Sequence, residues 1–206
     1  MKVLLVNGSP RAKGCTYTAL SEVARILEQE GIETEIFQLG AKPVQDCTAC
    51  MKCRENGGKC VFDDVANELI EKAKGADGFV FGSPVYYAHP SGRILSFLDR
   101  AFYAGSRNSA GSPFAGKPGA AVVSARRGGT TASLDVLNKY FTIASMPVVG
   151  SSYWNMVHGS KPEDVLEDKE GIQTMRNLGH NMAWMLKHLR EGFPSQEKGA
   201  RTNFIR

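Results

Sequence analysis

Val3-Leu4-Leu5-Val6-Asn7-Gly8-Ser9-Pro10-Arg11-Ala12-Lys13-Gly14-Cys15-Thr16 is the stretch that decides the fold. Its first four residues form an unbroken aliphatic run with β-branched ends, the pattern of a strand buried on both faces of a parallel sheet. A loop of small, hydroxyl-bearing and basic residues follows. From 16 to 30 apolar residues recur at Leu20, Val23, Ala24, Ile26 and Leu27, a helical spacing that stops at Glu30-Gly31. Such a loop, opening a helix, can surround an anion with backbone N–H groups, hydroxyl donors and the positive helix end. A polar turn that only caps the helix is the plain alternative. Two familiar loop types fail on spacing. A dinucleotide fingerprint needs Gly-x-Gly-x-x-Gly, and only Gly8 and Gly14 are present; in a P-loop four residues separate the glycines and Lys-Ser/Thr follows, whereas here five intervene and Cys15 follows Gly14.

Outward from this stretch the periodicity keeps alternating. A charged-apolar alternation over 33–39 suggests an edge strand, and 62–76 a helix opened by Asp63-Asp64. A third strand is expected over 78–82, and a helix over 90–103 with Ile94, Leu95, Phe97 and Leu98 facing inward. A fourth strand of small residues is expected over 119–124, a helix over 130–144, a short fifth strand over 147–151, and a long last helix within 168–191. Strands alternating with helices imply right-handed crossovers and a doubly wound α/β parallel sheet with helices on both faces. Five strands with a long first helix fit the flavodoxin-like order 2-1-3-4-5, in which ligands sit beyond the carboxyl ends of strands one and three. The expected organisation is one domain over 1–192 and a polar tail over 193–206.

Composition narrows the function classes. The 206 residues are 42% hydrophobic and 22% charged with no biased tract, which suits one globular domain. A net charge of +4 with scattered basic residues gives nucleic-acid binding little support. The first residues hold only four consecutive apolar positions, too few for a signal core or a membrane span, so a cytoplasmic protein is expected. Five cysteines in that reducing compartment point to metal or redox work rather than a disulfide framework. His89, His158, His180 and His188 are dispersed and suggest neither a metal site nor a triad.

Asn7-Gly8-Ser9-Pro10-Arg11, taken with Phe81-Gly82-Ser83-Pro84-Val85-Tyr86-Tyr87 and Phe97-Leu98-Asp99-Arg100, resembles the NADPH-dependent FMN reductase family of the flavodoxin-like superfamily, over residues 1 to about 155. The resemblance implies bound FMN, reduction by NADH or NADPH, a small-molecule electron acceptor (quinone, nitro compound, flavin, metal ion or oxygen), and a homodimer or homotetramer. It assigns Ser9, Arg11 and Thr16 to the phosphate, with Cys15 standing where many members have asparagine or serine. Pro84, Val85, Tyr86 and Tyr87 would run along the isoalloxazine, a flat ring that needs apolar and aromatic walls; the tyrosines also read as surface residues. The turn Ser124-Ala125-Arg126-Arg127-Gly128-Gly129 would lie against the pyrimidine end. Gly128 and Gly129 would allow close backbone approach, and Arg126 or Arg127 would balance charge on the reduced ring, unless they are simply solvated. Asp99-Arg100 reads as a structural ion pair, and Ser152-Tyr153-Trp154-Asn155 as part of the substrate side.

Four cysteines, Cys47, Cys50, Cys53 and Cys60, fall within one short stretch. Their spacing resembles the compact motif of the iron-sulfur flavoproteins, a branch of the same superfamily, and implies a 4Fe-4S cluster and an electron carrier that serves a ferredoxin-type partner. Zinc also accepts four thiolates, though its usual sites pair two Cys-x2-Cys knuckles across a longer gap. Free thiols in a folded loop are the third reading.

Overall fold

Leu4 and Val6 of β1 (Lys2–Asn7) enter one hydrophobic cluster and Val3 and Leu5 the other, all of them fully buried. A strand that buries alternate residues on opposite faces must lie inside a sheet covered on both sides. The computed structural model, which describes residues 1–189 and 194, places it there. β1 pairs in parallel with β2 (Glu33–Gln38) on one side and β3 (Gly78–Tyr86) on the other, and β3 pairs in parallel with β5 (Gly119–Ala125). One face is covered by α2 (Val65–Lys74), α3 (Gly92–Gly105) and α4 (Thr130–Ile143), the other by α1 (Cys15–Gln29) and α6 (Lys169–His188).

α1 and α6 approach closely because Gly179 has no side chain; a Cβ there would stand 2.7 Å from that of Ile26. The phenylalanines of β3 fix the other face: Phe81 packs on Phe102 of α3 and Phe141 of α4, with ring centroids 5.8 and 5.6 Å away.

The sheet departs from the expected five strands. It has six, in the order β2-β1-β3-β5-β6, with β4 (His89–Pro90) paired antiparallel to the end of β3. β3 runs four residues past Gly82, to Tyr86, and turns back through Tyr87 and Ala88. The segment 147–151 is not a strand: Val148 forms an isolated bridge to Gly119, and the chain then leaves the sheet. It returns as β6 (Met156–His158), which pairs with Val123–Ala125. Pro147 has no N–H for a ladder, and Gly150-Ser151-Ser152 offers no apolar face to hold the segment down. Met156 and Val157 do offer one, and they are buried.

The last helix begins at Lys169, capped by Asp168, whose Oδ1 accepts from Gly171 N at 3.0 Å, and the short α5 (Pro162–Glu167) precedes it. The expected tail over 193–206 lies, apart from Pro194, outside the described residues. Among the described residues no helix is long and apolar enough to cross a membrane.

Candidate functional site

The loops after β1, β3, β5 and β6 leave the same end of the sheet because these strands are parallel. They enclose a cleft of about 270 Å³.

The first loop is held by Asn7, fully buried at the end of β1. Its Oδ1 accepts from Ser9 N at 3.1 Å, and its Nδ2 donates to Gln38 Oε1 and Ala12 O. Gln38 Nε2 in turn donates to Ser9 O at 2.7 Å. Gly8 sits against β3 and α3: its N–H donates to Gly82 O at 2.8 Å, and a Cβ there would fall 2.7 Å from Ile94 Cδ1. α1 then starts without a side-chain cap and with no acidic residue in its first turn. Its first N–H groups lack intrahelical acceptors, and no acidic residue of its own first turn competes for them.

Nine of the twelve residues expected around the cofactor line this cleft: Ser9, Arg11, Cys15 and Thr16 from the first loop, Pro84, Val85 and Tyr86 from β3, and Ser124 and Arg126 from the end of β5. The buried hydroxyls of Thr16 and Ser124 are 2.8 Å apart and hydrogen-bonded. Among the described residues, Arg11 and Arg126 are the only charged side chains lining the cleft. Cys15 donates its thiol to Gly159 O at 3.6 Å, and burial pushes that thiol above its ordinary pKa, so it adds no negative charge.

The other three residues shape the cleft without lining it. Tyr87 and Ala88, at φ 51° and 59°, form the two-residue turn of the β3–β4 hairpin, and Tyr87 stands fully exposed at its tip. Gly129 lies under that turn, at φ 97°, where a Cβ would meet Ala88 Cα at 2.5 Å. Gly128 is exposed with open space around it.

Ala125, Gly159 and Ser160 also line the cleft, and the sequence reading missed the last two with the strand that precedes them. Their signal is Met156-Val157-His158, two buried apolar residues and a polar one running into Gly-Ser-Lys-Pro. Tyr153 and Trp154 pack on one another at 4.8 Å and do not reach the cleft.

A second arrangement lies over α2 and α3. Cys47, Cys50, Cys53 and Cys60 all line one small cavity of about 20 Å³, with Cys47 and Cys50 exposed, Cys60 half-buried and Cys53 buried. Ala49 and Met51 have positive φ, 52° and 61°, a conformation that residues other than glycine rarely adopt. The loop is tied down from below. Asn67 of α2 accepts from Cys60 N at 2.8 Å and donates to Cys60 O at 2.9 Å. Arg100 of α3 donates to Cys60 Sγ at 3.2 Å and forms a bidentate pair with Asp64, while its neighbour Asp99 instead accepts from Tyr140. The expected Asp99–Arg100 ion pair is therefore replaced by an Arg100–Asp64 ion pair and a Tyr140–Asp99 hydrogen bond, because successive helical residues point in different directions. Burial, then the neighbouring Cys50 and Cys60, raises the Cys53 thiol.

All five cysteines are free. Among the described residues, no three of His, Cys, Asp and Glu stand close enough to share one metal ion.

Residues 1–161 match the model of the NADPH-dependent FMN reductase family. An iron-sulfur flavoprotein of Methanocaldococcus jannaschii is 34% identical over 198 residues, covering 93% of this chain and 100% of its own. A flavodoxin from the domain Archaea superposes with a TM-score of 0.60 at 17% identity, covering 91% of this chain and 100% of its own. RosB, solved with the flavin intermediate 8-demethyl-8-formylriboflavin-5'-phosphate, superposes with a TM-score of 0.72 at 15% identity, over 99% and 92% of the two chains. The fold is flavodoxin-like, and the chain belongs to the NADPH-dependent FMN reductase family of flavoprotein oxidoreductases.

Proposed function

We propose that the protein binds FMN in the cleft above β1, β3 and β5, takes hydride from NAD(P)H and passes the electrons to a small acceptor. The observation that carries this reading is the convergence of four loops, far apart in sequence, on a cleft whose charged lining side chains, among the described residues, are Arg11 and Arg126. A phosphate fits the first loop: free N–H groups at the start of α1, the Ser9, Thr16 and Ser124 hydroxyls, a neutral Cys15 and Arg11 at the rim. A flat ring fits the hairpin side, where Pro84, Val85 and Tyr86 offer an apolar wall and Gly129 seats the hairpin turn from below. Bound flavin supplies hydride and electron transfer; the chain orients it and keeps Arg126 beside developing negative charge. No side-chain acid or base is required for that step.

In a second reading, the four-cysteine loop carries a 4Fe-4S cluster, which makes the protein an iron-sulfur flavoprotein that exchanges electrons with a ferredoxin-type partner. Four thiols lining one cavity support it. A cubane takes one thiolate on each iron, so its donors need not stand close enough to share a single ion, as a zinc site demands. Cys47 and Cys50, on the exposed rim, leave the cavity open to a group larger than its present volume. We further read the protein as a cytoplasmic homodimer or homotetramer.

Anaerobic purification followed by an absorption spectrum, iron and sulfide assay and NAD(P)H oxidation tests both readings. A yellow protein with one FMN and about four irons per chain supports both. FMN without iron after anaerobic reconstitution leaves the flavin reading alone, and no FMN affinity removes it.

A further inference from the structure

Four sulfurs line the cysteine cavity, and their surroundings differ. Cys47 and Cys50 are exposed, Cys53 is buried and Cys60 is half-buried. Among the described residues, Cys60 is the one of the four whose sulfur takes a hydrogen bond from a charged side chain, the Nε–H of Arg100 at 3.2 Å. Its backbone is fixed as well, by the paired hydrogen bonds with Asn67. Cys60 is thus the sulfur whose position and electron density the fold controls directly.

The setting of Arg100 strengthens that control. Its side chain is fully buried, whereas that of its partner Asp64 is 32% exposed. Water screens the carboxylate more than the guanidinium, so the pair turns net positive charge toward the cavity. Apolar neighbours keep the field local: the Phe62 ring lies 5.1 Å from the guanidinium, and Val61 and Ala104 line the same cavity. A guanidinium does not give up its protons in a protein, so the charge is the same whatever the redox state of the loop. Four thiols around one cavity, with a buried cation against one of them, suit an anionic group bound through thiolates. When a 4Fe-4S cluster gains an electron, negative charge on its sulfurs rises, and a donor aimed at one of them binds the reduced form more tightly.

We propose that Arg100 is a positioning residue for electron transfer which, acting through Cys60, raises the reduction potential of a 4Fe-4S cluster held by the cysteine loop. The cluster gains one electron, the flavin or ferredoxin-type donor loses it, and Arg100 neither gains nor loses a proton. This inference rests on the cluster reading of the four cysteines.

An equilibrium redox titration of the full-length protein, purified without oxygen and loaded with FMN, iron and sulfide, tests it; the EPR signal of the reduced cluster and the flavin absorbance are followed together. Arg100→Met is expected to shift the one-electron equilibrium of the cluster toward its oxidised form about tenfold, or about 59 mV. Asp64→Asn removes the compensating carboxylate and leaves the guanidinium, so it should shift the equilibrium the other way, by about threefold because water already screens that carboxylate. Arg100→Lys keeps the charge and loses the Nε–H, and should fall between wild type and Arg100→Met. Arg93→Met, on the same helix, releases the carbonyls of Ala41 and Lys42 and should leave the cluster potential in place, which separates loop anchoring from charge. The flavin potential should hold in all four variants, because Arg100 lines the cysteine cavity and not the cleft.

An iron-loaded Arg100→Met with the cluster potential of wild type would overturn the proposal; where that variant does not fold, the same result in Arg100→Lys would do so. A downward shift in Asp64→Asn would also overturn it, since any loosening of the loop would then account for both variants. Wild-type protein that binds FMN but takes up no iron and sulfide would overturn the cluster reading and this inference with it, and the iron assay tells that outcome from the others.

Discussion

Arg100 on α3 donates its Nε–H to the Sγ of Cys60, forty residues earlier in the chain, at 3.2 Å. Its other four N–H positions are also used, two by Asp64, at 2.6 and 2.8 Å, and two by the carbonyls of Gln45 and Phe62. A guanidinium has five donors, and this one, 1% exposed, leaves none unsatisfied. Asp64 also caps α2 through Ala66 N. One side chain thus ties α3 to the start of α2 and to both ends of the cysteine loop.

Removing it should be expensive. Arg100→Met is expected to cost about 3–5 kcal/mol in urea denaturation, because a carboxylate, two carbonyls and a thiol lose their donor together. Arg100→Lys should recover only part, since an ammonium cannot span both Asp64 oxygens. A loss under about 1 kcal/mol would mean that solvent replaces these bonds at no cost.

The Thr16–Ser124 hydroxyl pair joins the first loop to the end of β5. Thr16→Val keeps the shape and leaves the buried Ser124 hydroxyl without its partner. FMN affinity, read by quenching of flavin fluorescence, is expected to fall about tenfold, and stability by about 1 kcal/mol. Unchanged affinity would remove the Thr16 hydroxyl from the phosphate site.

Gly129→Ala should damage the cleft from behind. Its Cβ would stand 2.5 Å from Ala88 Cα, backbone that cannot rotate away, and alanine also resists φ 97°. The β3–β4 hairpin must shift, so weaker FMN binding should accompany a stability loss of about 1–3 kcal/mol. Gly128→Ala, with open space around it, is the control for a change of composition alone.

The same hairpin holds Tyr87 and Ala88 at positive φ, in a two-residue turn whose usual occupants are Asn and Gly. Ala88→Gly should therefore raise the denaturation midpoint, by the equivalent of about 0.5–1 kcal/mol of unfolding free energy, if the left-handed conformation is the dominant cost. A lower midpoint would show that the Ala88 methyl, packed over Gly129, contributes more than the strain removes.

Glu22 pairs with Arg25 on the same helix, at 2.8 Å, and links α1 to α6 through Arg176, at 3.3 Å. The hydrogen bond from Arg25, ahead of the one from Arg176, holds its carboxyl below the ordinary value of 4.5. A lowered carboxylate contributes stability above that ordinary value and loses it as pH falls through the folded one. Glu22→Gln should cost about 0.5–1 kcal/mol at neutral pH, with the gap from wild type closing below pH 4.5. A gap that persists at low pH would make the effect one of packing.

The parts of the fold that were legible in the sequence are those with local causes. Val3 to Val6 could only be a buried strand, and the loop after it placed Ser9, Arg11, Cys15 and Thr16 at the cleft because strand, loop and helix are contiguous. Pro84 to Tyr86 followed by the same logic after β3. The β3–β4 hairpin was not legible, because Tyr87-Ala88 lacks the Asn-Gly signature and is held by packing on Gly129.

The sequence by itself determined the alternation of strands and helices, the family, and the clustering of four cysteines, since each is written in neighbouring residues. Tertiary structure decided what depends on competition between distant segments. Edge pairing with β5 went to Met156–His158 rather than 147–151, and with it came Gly159 and Ser160 in the cleft. It also gave Arg100 to Asp64 and Cys60 instead of to its neighbour Asp99. Hydrogen-bond donors and ladder edges take the partner that packing brings within reach, and spacing along the chain does not record which one that is.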